Sequence, residues 1–261
     1  MRYLSLYLHF VRFSFSKALL FRTNFVLHAL MDIGWYATQI VFYTTLFNYT
    51  GILGGWTYAQ VMIFVGSVFL VDAIEMAVFD NNIWWLPIFI NRGDLDYYLV
   101  RPVSSLYFLL LRDFSASSIT NVFMACGFLG WAFSQYPGDI SAGGFVAYAC
   151  ALLCGVLIFS FMKALFVITA FWTGSDKGLR AIFGSLQRFG NQPHRIYKGW
   201  LSYVLSSILP FAFVASWPTT ALFEADPWRV ALSSIAIAAA LFLLLAWVWR
   251  MGLRRYSSAS S

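Results

Sequence analysis

Three ionisable residues stand in strongly apolar surroundings. Asp72 and Glu75 lie three positions apart in the run 57–80, and Lys163 lies in the run 143–173. Residues three apart share a helix face. A charged side chain at the centre of a bilayer costs about 2.5–3.5 kcal/mol on insertion scales, so each calls for a partner or a role. An ion pair between Lys163 and these carboxylates would offset that cost. The alternatives are a substrate-facing or gating group, and a side chain that reaches interfacial water. Asp32, in the run 25–48, poses the same question. A second concentration of charge is the stretch Arg92-Gly93-Asp94-Leu95-Asp96-Tyr97-Tyr98-Leu99-Val100-Arg101-Pro102, in a chain of which only 11% of residues are charged. Two acids and two bases so close suit salt bridges to a partner surface. The bland reading is a solvated loop kept out of lipid by its charges.

Covalent chemistry has no foothold. There is no G-x-x-x-x-G-K-[ST] phosphate loop, no H-E-x-x-H and no G-x-S-x-G. His9, His28 and His194 are scattered, and Cys126, Cys150 and Cys154 lie in apolar runs without metal-ligand spacing. We expect no catalytic residue, no metal site and no cofactor in this chain.

These residues need elements to hold them. Of 261 residues 61% are hydrophobic, against 45–50% in soluble domains, and the mean hydropathy is +0.72. Such a chain lacks the polar surface to face water and belongs in a membrane. The expected fold is all-α, a single transmembrane domain over 1–261, with six crossings near 25–48, 57–80, 114–135, 143–173, 200–222 and 230–249. Ser5, His9, Arg12 and Ser16 recur at spacings of 4, 3 and 4 within 1–24, which predicts an amphipathic helix lying in the interface, the alternative being a buried part of the bundle. No cleavable signal is evident there. Pro210 and the Trp217-Pro218 pair interrupt the fifth crossing, which predicts a broken or re-entrant outer element.

Of the 17 Lys and Arg, all but Lys163 and Arg229 fall in 1–24, 81–113, 174–199 and 250–261. Basic loops mark the cytoplasmic side, so both termini and residues 81–113 are expected inside. The net charge of +6 is explained this way and not by nucleic acid. The segment 81–113 then becomes a cytoplasmic coupling region, with Leu95, Tyr98 and Leu99 at helical spacing and Pro102 as a stop.

At this point the residues resemble a known family. Arg92-Gly93-Asp94-Leu95-Asp96, Leu99 and Arg101-Pro102, between the second and third crossings, look like the permease subunit of bacterial type-2 ATP-binding-cassette (ABC) exporters. The match is to a subgroup with an R-G-x-L-D-x-x-L-x-R-P signature. Pro210-Phe211-Ala212-Phe213 and Trp217-Pro218 also fit it. The resemblance implies half of a permease dimer, identical or not, in the cytoplasmic membrane among its lipids. It implies a coupling helix docked on a separate soluble ATPase dimer that holds ATP and Mg. It implies re-entrant helices after the fifth crossing and export of a hydrophobic or amphipathic compound. Residues 174–199 depart from it, being a longer inner loop than the family uses. The competing readings are a membrane anchor that recruits a soluble partner without moving cargo, and an intramembrane enzyme.

Overall fold

The computed structural model describes residues 2–18, 22–101, 103–174 and 177–256, with the backbone alone at 2–4, 17–18, 22–29 and 177. Helices follow one another as α1 (Arg2–Ala18), α2 (Arg22–Phe47), α3 (Tyr58–Val78), α4 (Asp80–Arg92), α5 (Asp96–Leu99), α6 (Ser105–Leu111), α7 (Ile119–Ser134) and α8 (Ala142–Ile168). Then come α9 (Ala170–Thr173), α10 (Lys177–Gly190), α11 (Trp200–Ser207), α12 (Ser216–Ala221) and α13 (Pro227–Arg255). No strand occurs among the described residues.

Among the described residues, four segments are long and apolar enough to cross a membrane: Tyr58–Val78, Ala116–Ser134, Ala142–Thr173 and Pro227–Arg255. Helix α2, with 26 residues, spans about 39 Å at 1.5 Å per residue. Burial ranks them. The most apolar stretches of α3 and of Ala142–Thr173 are 72% buried, against 33% for Ala116–Ser134 and 28% for α13. Helices α3 and α8 are therefore the axis of the bundle, and α7 and α13 turn much of their apolar surface outward. Gln60 accepts the Thr57 N–H at 2.9 Å to start α3, and Ser141 Oγ accepts the Gly144 N–H at 3.0 Å to start α8.

The segment 174–199 differs from the inner loop expected of it, and 200–222 is not a continuous crossing. Arg180 donates to the Trp84 carbonyl at 2.7 Å, so α10 begins beside α4. At its far end Tyr43 Oη donates to the Asn191 carbonyl at 3.1 Å, and Arg195 pairs with Glu224 at 3.3 Å. Residues 191–195 thus sit with the turns that follow α2 and precede α13, at the end of the bundle opposite α4–α6. Helix α10 makes the passage in 14 residues, about 21 Å. The following stretch is split into α11, a 3-10 turn at Phe211–Phe213 and α12, the broken element that the prolines led us to expect. The sequence misled because α10 carries Lys177, Arg180 and Arg188. A count of basic residues assigns such a stretch to a loop, whereas Leu179, Phe183 and Leu186 recur as one apolar face.

Gly155 of α8 lets the broken element approach. A Cβ built there would lie 2.2 Å from the Val214 carbonyl oxygen. Gly155→Ala should cost about 1–3 kcal/mol as overpacked backbone is forced apart. Thermal unfolding in detergent reads this as a lowered Tm; an unchanged Tm would mean the approach is looser than described.

Candidate coupling surface and buried ion cluster

Lys163 of α8 reaches two carboxylates. Its Nζ lies 2.8 Å from Glu75 Oε1 and 2.7 Å from Asp80 Oδ1, and Lys163 and Glu75 are 4% and 2% exposed. Trp84 and Phe159 present their ring faces to the same ammonium at 5.3 and 5.1 Å. Glu75 is one of the two carboxylates expected there, Asp72 being the other; Asp80 is not, since it closes the apolar run and invites assignment to a solvated end. Asp72 half-faces the surface and makes no ion pair among the described residues. Asp32 Oδ2 instead accepts a hydrogen bond from Asn121 Nδ2 at 2.6 Å. Because α3 ends at Val78 and α4 starts at Asp80, the ammonium braces both sides of the break at Phe79.

Buried Asn82 performs a second clamp that the sequence did not announce. It donates to the Asp113 carbonyl at 2.6 Å and accepts the Asp113 N–H at 2.9 Å, tying α4 to the chain just before α7. Helix α4 then ends on Gly93 with φ +80°, the left-handed cap that glycine adopts without a Cβ penalty. The turn lowers Leu95 into the core, where it is 0% exposed. Arg112, at the end of α6, donates to the Tyr98 hydroxyl and lies 4.3 Å over the Phe89 ring. Helix α5 is thereby fixed to α4 on one side and α6 on the other.

What α5 offers outward is specific. Arg92, Leu99 and Arg101 are exposed, and Tyr97 and Val100 are 71% and 83% exposed; Asp94 and Asp96 are half-buried. Arg101 is steadied by the Tyr97 carbonyl at 3.3 Å and by the Phe108 ring. Leu95 belongs to the anchor and not to the outward face, because an apolar stripe on one short helix turn does not say which residue points in. Tyr97 and Val100 were not singled out by sequence for the same reason. Pro102 lies outside the described residues. The last helix joins the cluster too: Trp249 Nε1 donates to Ser105 Oγ at 3.2 Å, and burial, then the Asp96 carboxylate, raises the Tyr256 phenol above its ordinary pKa.

At the other end, Pro210 and Pro218 are buried in the broken element. Trp217 stacks between His194 (5.1 Å) and Phe213 (5.4 Å). Ser216 Oγ accepts the His194 N–H at 3.0 Å and bonds its Nδ1 at 2.6 Å. Ser67 of α3, Tyr148 of α8 and Thr219 of α12 share buried hydrogen bonds of 2.8 and 3.2 Å. Burial first, then Arg195, pushes the His194 pKa down from 6.5 to about 4. No group of three metal-ligating side chains converges among the described residues.

Two outcomes follow. Lys163→Met leaves Glu75 without its ammonium and should cost about 3–5 kcal/mol; adding Glu75→Gln should restore much of that, so equal melting of the single and double variants would contradict the pairing. For His194, folding favours the neutral ring. The unfolded chain takes the proton first as pH falls through 6.5, so the stabilisation is present above 6.5 and is lost progressively toward pH 4. Melting temperature against pH should fall in that window, and His194→Gln should flatten the fall.

The sequence matches the model of the ABC-2 family transporter protein over residues 33–260. No curated protein and no solved structure matches the chain. The matched region takes in α3–α13, with both the ion cluster and the charged surface. Membership implies association with an ABC ATPase subunit, the permease itself being the transport component and not the catalyst. Matched over nearly its whole length, and with four apolar membrane-length helices among the described residues, the chain belongs to the ABC-2 transporter family and is a multi-pass membrane permease component of an ABC transporter.

Proposed function

We propose that this permease is half of an ATP-driven exporter in the bacterial cytoplasmic membrane. In this reading its termini and α4–α6 lie on the cytoplasmic side, and a hydrophobic or amphipathic cargo moves outward. ATP and Mg bind in a separate soluble ATPase dimer. Its movement pushes on the outward face of α5, where Arg92, Asp94, Asp96 and Arg101 make charged contacts. Leu99, Tyr97 and Val100 supply the apolar part. Gly93 sets the turn and Leu95 roots it in the core. The observation that carries this reading is the pairing of a charged, aromatic outward face with a rigid inward anchorage. Arg112 ties that short element to α4 and α6, and Lys163 ties α4 to α3 and α8, so a push on it is delivered to the bundle.

A second permease subunit, identical or not, is supported by α10. Gly178, Ala181, Ser185 and Arg188 fall on one exposed face at spacings of 3, 4 and 3. A crossing helix does not present such a face to lipid. A partner subunit or a water-filled path covers it better. Pro210, Trp217 and Pro218 form the outer closure of that path in this reading.

Charge reversal at Asp94 and Asp96 (Asp94→Lys with Asp96→Lys) should separate ATP hydrolysis from transport in the reconstituted complex. Tyr97→Ala should weaken ATPase binding by about tenfold, or about 1.4 kcal/mol. The readouts are co-elution with the ATPase, cargo-stimulated hydrolysis and cargo flux. Intact coupling in both variants would favour a solvated loop, and co-elution with a protein that hydrolyses no nucleotide would favour an anchor.

A further inference from the structure

A cavity of about 300 Å³ opens between α2, the junction of α3 and α4, and the turn that starts α7. Its walls carry Asp32, Asp80, Asn121 and the hydroxyls of Ser115, Ser117 and Ser118. Lipid chains cannot satisfy such walls, so water or a polar group fills them. The size sits at the low end of ligand sites and suits a compact head group better than a whole drug-sized molecule.

Among the described residues, the charged side chains in the walls have one sign. Asn121, 4% exposed, holds Asp32 Oδ2 at 2.6 Å. Being neutral, it orients the carboxylate without cancelling its charge. No ammonium or guanidinium pairs with Asp32 among the described residues. Asp80, in the opposite wall, shares Lys163 with Glu75, one positive charge between two negative ones. Asp72 adds a further carboxylate within electrostatic reach of both Lys163 and Asp80. Asp80 in the wall already holds a primary ammonium, that of Lys163, at 2.7 Å. Around Asp32 the neighbours on α2 are exposed and apolar: Met31 72%, Ile33 50% and Trp35 49%. An amphiphile seated at Asp32 therefore keeps its tail in an apolar setting.

We propose that this cavity receives the cationic end, an ammonium or amidinium, of an amphipathic cargo, with Asp32 as its counter-ion and Asn121 and the serine hydroxyls around it. This rests on the permease reading and narrows its substrate class. An anionic head group would meet repulsion from Asp32 and from the excess carboxylate behind Asp80.

The test uses the full chain in phosphatidylcholine nanodiscs. Dodecyltrimethylammonium is titrated below its micellar concentration, with dodecyl sulfate as the anionic probe of equal tail, and binding is read by isothermal calorimetry. The expected result is a preference for the cation of about tenfold, lost in Asp32→Asn. Ser117→Leu, which fills the cavity and removes no charge, should weaken binding equally and keeps the test open if the aspartate variant fails to fold. Asp139→Asn, on an exposed turn away from the cavity, should bind like the parent chain. Equal binding of both amphiphiles overturns the proposal. So does cation binding that survives both Asp32→Asn and Ser117→Leu. Binding is measured without the ATPase, so a complex that couples hydrolysis to flux but shows no preference for cations sinks the cavity assignment alone.

Discussion

The structure depends on one buried ammonium. Lys163 sits in the interior of α8, where an uncompensated charge would be too costly to keep. Glu75 and Asp80 hold it from either side of the break at Phe79. The pair with Glu75 joins the two most buried helices, and the pair with Asp80 attaches α4 to them. A buried ion pair adds little net stability against a well-packed apolar substitute, but it specifies which surfaces meet. Here it specifies that α3 and α4, separable by sequence, both meet α8 at Lys163.

The junction of α3 and α4 has further attachments, made by side chains that reach a backbone, a ring or a hydroxyl. Asn82 fixes α4 to the chain before α7, and Asn91 donates to the Gly174 carbonyl at 2.9 Å at the end of α9. Arg112 fixes α5 to α4 and α6. Trp249 and Tyr256 bring the end of α13 to the same place. A four-residue helix has no stability of its own; these contacts give α5 a fixed position. The proposed docking face is small because its rigidity is borrowed. At the opposite end Ser67, Tyr148 and Thr219 join the same two axial helices to the broken element, so both ends of the bundle are tied to α3 and α8.

Much of this was legible in the sequence. Apolar length located segments that overlap α3, α7, α8 and α13, because crossing hydrocarbon demands long apolar runs. That Lys163 needs a carboxylate followed from the cost of an isolated charge, but nothing in the sequence chose Glu75 over Asp72. The prolines at 210 and 218 announced a break. Three things were not legible. Helix α10 was taken for a loop because its polar face reads as solvent exposure unless another surface covers it. Asp80 looked like an end residue, and its role exists only because α8 brings Lys163 to it. Leu95 and Tyr97 could not be sorted into buried and exposed, since one helix turn has too few residues to define a face, and the Gly93 turn that sets the face acts through backbone angles.

The central claim is that the outward face of α5 meets a nucleotide-hydrolysing subunit. Site-directed crosslinking from Tyr97→Cys, in native membranes with the ATPase co-expressed, addresses it most directly, since Tyr97 is 71% exposed and α5 is held from behind. The expected result is a crosslink to the ATPase that changes with bound nucleotide, and protection of the thiol from membrane-impermeant reagents added outside the cell. Labelling from outside, or crosslinks that never include the ATPase, would contradict the claim.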